Sequence, residues 1–123
     1  MEKPSLDVRR AIICFQFAER IKSELIIAAK LLEEVSGLRG DELSGAEKIM
    51  LSFLKALSGE TQIAQNVLGL QDFKEAGMKV TEAAERIRLH EYSEATRRIS
   101  EAISFITTSA QHAMQALKEK RLL

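Results

Sequence analysis

Cysteine and proline are scarce in this chain of 123 residues. Cys14 is the one cysteine, so no disulfide can form within the chain, and Cys14, His90 and His112 are too few for a Cys/His zinc site. The one proline, Pro4, precedes the first predicted helix, where proline is tolerated. Strand signals are also missing, whereas Ala, Leu, Glu, Lys and Arg dominate, so the sequence predicts an all-α protein.

Net charge and long apolar runs are absent as well. Lys and Arg together number 18, as do Asp and Glu, whereas a protein that coats nucleic acid usually carries a net positive charge. The N-terminal residues lack the apolar segment of a secretion signal, and the richest apolar stretch, residues 11–18, is too short to span a bilayer. These absences predict a cytoplasmic protein that binds no membrane.

The apolar residues that are present recur at a spacing of three and four, which is typical of amphipathic helices. The predicted helices cover residues of about 6–35, 45–68, 73–89 and 92–119. The link near His90 and Glu91 is so short that the third and fourth helices must be antiparallel neighbours. We therefore predict one domain over residues 1–123, folded as an antiparallel up-down four-helix bundle.

Capping residues set the predicted helix boundaries. Ser5 is the expected N-cap of the first helix, and residues 44–47 (Ser-Gly-Ala-Glu) have the form of a capping box for the second. Asp72 and Glu75 repeat that arrangement before the third helix. Gly59 lies on the polar side of the second helix, which we expect to be continuous. The alternative is two shorter helices with a kink at this glycine.

Residues that could form a catalytic or metal site do not converge in the predicted bundle. The aspartates lie at helix starts or in a loop, where capping explains them, and the glutamates lie mostly on outer faces beside Lys or Arg. Neither histidine follows a glutamate at the Glu-x-x-His spacing of carboxylate-bridged metal sites, and no Gly-rich phosphate loop occurs. Cys14 is expected to be a buried structural thiol. We therefore predict no enzyme activity, no cofactor and no metal.

The first helix has more apolar residues than one core face needs. Beyond the face that contains Cys14 and Ile21, it carries a second row formed by Val8, Ile12, Phe15 and Ile26. Charged residues interrupt this row, as is typical of an interface between folded proteins and not of a membrane-binding helix. The alternative is that the end of the fourth helix or the 36–44 loop covers the row. We therefore predict a non-catalytic interaction module that binds itself, as a homodimer, or another protein through its first helix.

A second hypothesis comes from arginines around the turn between the third and fourth helices. Arg86, Arg88, Arg97 and Arg98 could grip phosphates as a basic patch. On this hypothesis the protein is a small helical subunit of a nucleic-acid-handling complex. Glutamates interleaved with the arginines, and the zero net charge, favour the first hypothesis.

Overall fold

The computed structural model describes residues 6–122, and this part of the chain is helical with no strand. Four helices follow one another: α1 is Val8–Ser36, α2 is Gly40–Leu68, α3 is Gln71–Arg88 and α4 is Tyr92–Glu119. Each helix packs against the next, and α4 closes the bundle against α1. The predicted all-α four-helix fold is therefore confirmed. No helix in residues 6–122 has the length and apolar character needed to cross a membrane.

Contacts between α1 and α2 show that these two helices run in opposite directions. Arg10 donates a hydrogen bond to the carbonyl of Leu68, and Arg20 pairs with Glu60. The second contact thus lies ten residues later on α1 and eight residues earlier on α2. Of the neighbouring helix pairs, α1 and α2 share the least extensive contact.

The α3 and α4 helices are also antiparallel. Ser109 donates a hydrogen bond to Asp72 near the start of α3, whereas Glu101 pairs with Lys79 two turns further along that helix. The Cys14 thiol contacts the Ser109 carbonyl, which places the first half of α1 beside the second half of α4. Together with the α1/α2 contacts, this arrangement gives the up-down order predicted from the sequence.

The helix boundaries differ from the predicted ones mainly at α2. Ser5 lies outside the described residues, and Asp7 caps α1 by accepting a hydrogen bond from the Arg10 backbone at 2.8 Å. The second helix begins at Gly40, five residues before the predicted start, so the Ser-Gly-Ala-Glu segment lies inside it. Gly40 has a φ of 61°, which lets the chain turn sharply after α1. The acidic residues in the first turn of α2 interact favourably with the positive end of the helix dipole. The predicted continuity of α2 through Gly59 is confirmed.

Asp72 does not cap α3 as predicted. The third helix begins at Gln71, and its N-cap, Leu70, makes no side-chain capping bond. Asp72 lies in the first turn and accepts a hydrogen bond of 3.1 Å from Ser109 of α4. The Asp72 side chain therefore bonds α3 to α4 and does not cap the start of α3.

All four helices contribute to the core. The sequence predicts a narrow apolar core row on the second helix and another on the fourth, and the row on α4 is confirmed. Ala95, Ile99, Ala102 and Ile106 of α4 are fully buried. The spacing of apolar residues along the second helix predicts that Val67 lies in its core row with Met50 and Leu57, but that prediction is wrong, because Val67 is 56% exposed. Two adjacent apolar rows on α2 have the same spacing, and the bundle buries the row that does not contain Val67. That buried row consists of Met50, Leu54, Leu57, Thr61, Ala64 and Leu68.

Candidate functional site

A second pair of apolar rows runs along α1 and α2 outside the core. The row on α1 consists of Ile13, Phe17, Arg20, Glu24, Ile27 and Leu31. The row on α2 consists of Ile49, Phe53, Ala56, Glu60, Ile63 and Val67. Both rows have the alternating spacing of four and three that is typical of helices packing side by side. Both also repeat the order isoleucine, phenylalanine, one variable residue, glutamate, isoleucine and an aliphatic residue. We call the surface that they form the α1/α2 face.

The ion pair between Arg20 and Glu60 places the two rows beside each other. Residues three, four or seven apart on a helix lie on the same side, so the other members of each row also lie along the contact between α1 and α2. Since the helices are antiparallel, Ile13 lies at the level of Val67, and Leu31 at the level of Ile49. Apolar side chains thus occupy both ends of the face, and the charged side chains occupy its middle.

Much of the apolar surface on this face is open to solvent. Ile27, Leu31, Ile49, Ile63 and Val67 are between 43% and 74% exposed. The two phenylalanines are half-buried and pack against the core. Single exposed apolar residues are common on proteins, but a contiguous group of them typically marks a binding surface. The face is therefore the candidate functional site.

A compact ionic cluster lies at the centre of the face. Arg20 donates a hydrogen bond of 2.5 Å to Oε1 of Glu60, and its Nε lies 3.8 Å from Oε1 of Glu24. Burial, together with the neighbouring Glu60 carboxyl, raises the pKa of Glu24 to about 7. The hydrogen bond from Glu24 and the guanidinium of Arg20 lower the pKa of Glu60.

The two carboxyl groups in this cluster are poised to share a proton. Oε1 of Glu24 and Oε2 of Glu60 are buried and find no hydrogen-bond donor when both groups are ionised. One proton held between Glu24 and Glu60 supplies that donor. At a pH below about 7, where this proton is held, the cluster contains one guanidinium cation and one carboxylate anion and carries no net charge.

The interface residues predicted from the sequence lie on a different side of α1. Ile12 and Ile26 are 42% and 39% exposed, whereas Val8 and Phe15 are half-buried and Phe15 packs against the core. Ile26 lies one turn before Lys30, which lines a shallow groove against α4. This row therefore faces the α1/α4 junction, and docking through it stays a prediction.

Each arginine of the predicted basic patch forms an ion pair with a carboxylate. Arg86 pairs with Glu91 at 3.0 Å and Arg88 with Glu85 at 2.8 Å. Arg97 pairs with Glu94 at 3.7 Å. Arg98 contacts three glutamates, the nearest at 3.1 Å. The positive charge of these side chains is thus balanced locally, and nucleic-acid binding through them stays a prediction.

Two other groups of polar residues have structural roles. The Tyr92 hydroxyl donates a 3.0 Å hydrogen bond to Oε2 of Glu47, and Nδ1 of His90 lies 3.1 Å from the same oxygen, so the α3–α4 turn is fastened to α2. Cys14 is buried as predicted, and burial raises the pKa of its thiol to about 11, which keeps it unreactive. Within residues 6–122, no three His, Cys, Asp or Glu side chains are grouped so as to hold a metal ion.

Comparison with protein-family models, with curated proteins and with solved structures gave no match for this chain. The geometry of the α1/α2 face is therefore the main indication of function. Sequence reasoning missed this face, although a signal was present. The shared order of residues on α1 and α2, spaced by four and three, would have revealed two similar rows.

Proposed function

We propose that this protein is a non-catalytic helical-bundle interaction module that docks on a protein through the α1/α2 face. The supporting observation is the group of exposed large aliphatic side chains that flank the Arg20–Glu24–Glu60 cluster on this face. The proposal keeps the first helix as the docking element, as the sequence suggests, and adds α2 to it.

The chemistry of the face favours a protein partner over a membrane. A helix that lies on a membrane surface typically has many Lys and Arg residues beside a broad apolar face. The α1/α2 face instead has one arginine and two glutamates at its centre, and its carboxyl groups would be unfavourable beside anionic lipids. Rows spaced by four and three favour contact with other helices, whose side chains interdigitate at this spacing.

Capture of bound proteins from cells that express tagged versions of the chain tests the proposal. The first variant carries Ile27→Glu and Ile63→Glu, which places charges on both rows of the α1/α2 face. The matched control carries Ile12→Glu and Ile26→Glu, which are exposed isoleucines on the α4 side of α1. Helical circular dichroism and thermal unfolding check that both variants fold.

We expect the wild type and the control to capture the same proteins, including untagged copies of the chain, and the first variant to lose them. Loss of a large apolar side chain that an interface buries can weaken binding by about 2 kcal/mol or more at the dominant residues, and a buried unpaired carboxylate adds to that loss. If the first variant keeps every partner of the wild type, the α1/α2 face is not the docking surface and the proposal fails.

A further inference from the structure

We propose that the α1/α2 face binds a second copy of the same chain, face to face about a two-fold axis through the ionic cluster. This inference rests on the proposed function, because it names the occupant of the same surface. It is supported by the order of residues along the face, its charge and its area.

The order of residues makes the face complementary to itself. Apolar side chains lie at both ends, near Ile13 and Val67 at one end and near Leu31 and Ile49 at the other. A two-fold axis through the centre places polar residues over polar residues and apolar ends over apolar ends. Isologous dimers require this self-complementarity, because the same surface is used by both copies. An unrelated partner would need to match the same pattern independently.

The charge of the cluster also suits a second copy. Arg20 is 65% exposed, so its guanidinium has donors left for a partner, and each copy contributes two carboxyl groups near the axis. In the dimer each arginine can lie between the carboxyl groups of its own chain and those of the other copy. Because the chain has a formal net charge of zero, no long-range repulsion opposes the approach of two copies.

The area of the face is large enough for a weak, specific dimer. Each row of the face spans residues 13–31 or 49–67, so it is roughly 28 Å long at ~1.5 Å per residue. Two adjacent helices present a width of about 20 Å, which gives roughly 550 Å² per copy and roughly 1,100 Å² for two copies. A specific protein interface needs a total of about 1,000 Å², and interfaces near this lower limit are typically reversible.

Sedimentation velocity of the purified full-length chain tests this proposal without other proteins present. The concentration is varied from low micromolar to several hundred micromolar. We expect a reversible monomer–dimer equilibrium for the wild type. The variant with Ile27→Glu and Ile63→Glu should associate at least about a hundredfold more weakly, because both substituted residues would be buried in the dimer. The control with Ile12→Glu and Ile26→Glu should match the wild type.

A cysteine at Ala56 tests the position of the axis. Ala56 is exposed near the centre of the face, and the native Cys14 is buried and does not compete for oxidation. We expect Ala56→Cys to form a disulfide-linked dimer under mild oxidation at concentrations where the wild type is dimeric. Ser104→Cys, at an exposed position of α4, should crosslink far more slowly.

The two proposals fail in different ways. The second-copy proposal is overturned if the wild-type chain stays monomeric at several hundred micromolar, or if the Ala56→Cys and Ser104→Cys variants crosslink at equal rates. The proposed function still stands if cellular capture of another protein depends on Ile27 and Ile63. A dimer that is lost in the control and kept in the Ile27→Glu and Ile63→Glu variant also overturns the second-copy proposal, because it uses the other side of α1. The proposed function fails separately, if the Ile27→Glu and Ile63→Glu variant keeps every partner in the cellular capture.

Discussion

The α3/α4 side of the bundle and the α1/α2 side use the same helical spacing in different ways. Where α3 meets α4, the buried residues include several alanines, such as Ala83, Ala95 and Ala102. Small side chains let two helices approach closely. Charged residues bridge the outer edge of this contact, with Lys79 lying 3.7 Å from Glu101. The α3/α4 side is thus complete within one chain.

The α1/α2 side is less complete. The contact between α1 and α2 is the least extensive of the neighbouring pairs, and large aliphatic residues such as Ile49 and Ile63 lie outside it. The difference does not come from a lack of apolar residues. The α1 and α2 helices each carry two adjacent apolar rows, whereas α3 and α4 each carry one. A four-helix core can bury one row per helix. The second row is surplus to the fold, and this surplus supports a role in binding.

We expect a larger side chain to change the free energy of unfolding much more on the α3/α4 side than on the α1/α2 side. Ala102→Leu places three more carbon atoms at a fully buried position of α4, whereas Ala56→Leu places them at an exposed position of the α1/α2 face. We expect Ala102→Leu to lower the free energy of unfolding by about 3 kcal/mol, because the packed core must distort. Ala56→Leu should change it by less than about 0.5 kcal/mol. Urea denaturation of dilute protein measures both values. Equal losses would contradict the distinction between the sides.

Two glycines differ in the same way, since Gly77 of α3 faces α2 closely and Gly59 of α2 is exposed. A Cβ atom at Gly77 of α3 would lie 2.6 Å from Oγ1 of Thr61, whose side chain is buried and bonded to the Ser58 carbonyl. A Cβ at Gly59 would meet no atom within 4 Å. We expect Gly77→Ala to destabilise the fold by about 1–2 kcal/mol and Gly59→Ala to stabilise it by about 0.5–1 kcal/mol.

Thermal and urea unfolding measure the two glycine variants, and a double variant identifies the cause. Adding Thr61→Ala to Gly77→Ala removes the atom that the new Cβ would meet. The double variant should therefore lose less stability than the sum of the two single variants. Additive losses, or a stabilising effect of Gly77→Ala alone, would show that α2 and α3 do not approach closely at this point.

The difference between the two sides also explains what the sequence could predict. On α3 and α4 a single apolar row leaves one choice of buried face, so the spacing of three and four predicts the burial of Val80 and Ile99 that the structure shows. On α2 two rows have equal spacing, and nothing in the sequence selects Leu54 and Leu68 over Val67. The Arg20–Glu60 pair joins residues 40 apart, and its formation depends on the register of two helices, which periodicity does not determine.

Errors at the helix starts have a similar origin. The segment from Ser44 to Glu47 has the form of a capping box, but α2 continues through it in the N-terminal direction to Gly40. Glu47 instead accepts hydrogen bonds from the α3–α4 turn, a contact between residues that are distant in sequence. Local capping patterns indicate where a helix is able to begin, and tertiary contacts decide whether it does.

The smallest predicted effect concerns the pH dependence of stability at the centre of the α1/α2 face. The pKa of Glu24 is raised from 4.5 to about 7, mainly by burial and by Glu60. The folded state therefore holds this proton more tightly than the unfolded state. Its stabilising contribution is present in full below pH 4.5 and is lost as the pH rises through about 7. Glu60 has a lowered pKa and acts in the opposite direction, but below this range.

Glu24→Gln removes this titration while keeping a hydrogen-bond donor beside Glu60. We expect the wild type to lose on the order of 1 kcal/mol between about pH 5 and about pH 8 relative to the variant, since solvent screens part of the full effect. Urea denaturation of dilute protein across this range measures the difference. Glu19→Gln, at an exposed position of α1, is the control and should keep the wild-type slope. If Glu24→Gln also keeps that slope, the carboxyl groups share no proton. The centre of the face would then carry a net negative charge in each copy, and two copies could approach only with their arginines placed to offset it.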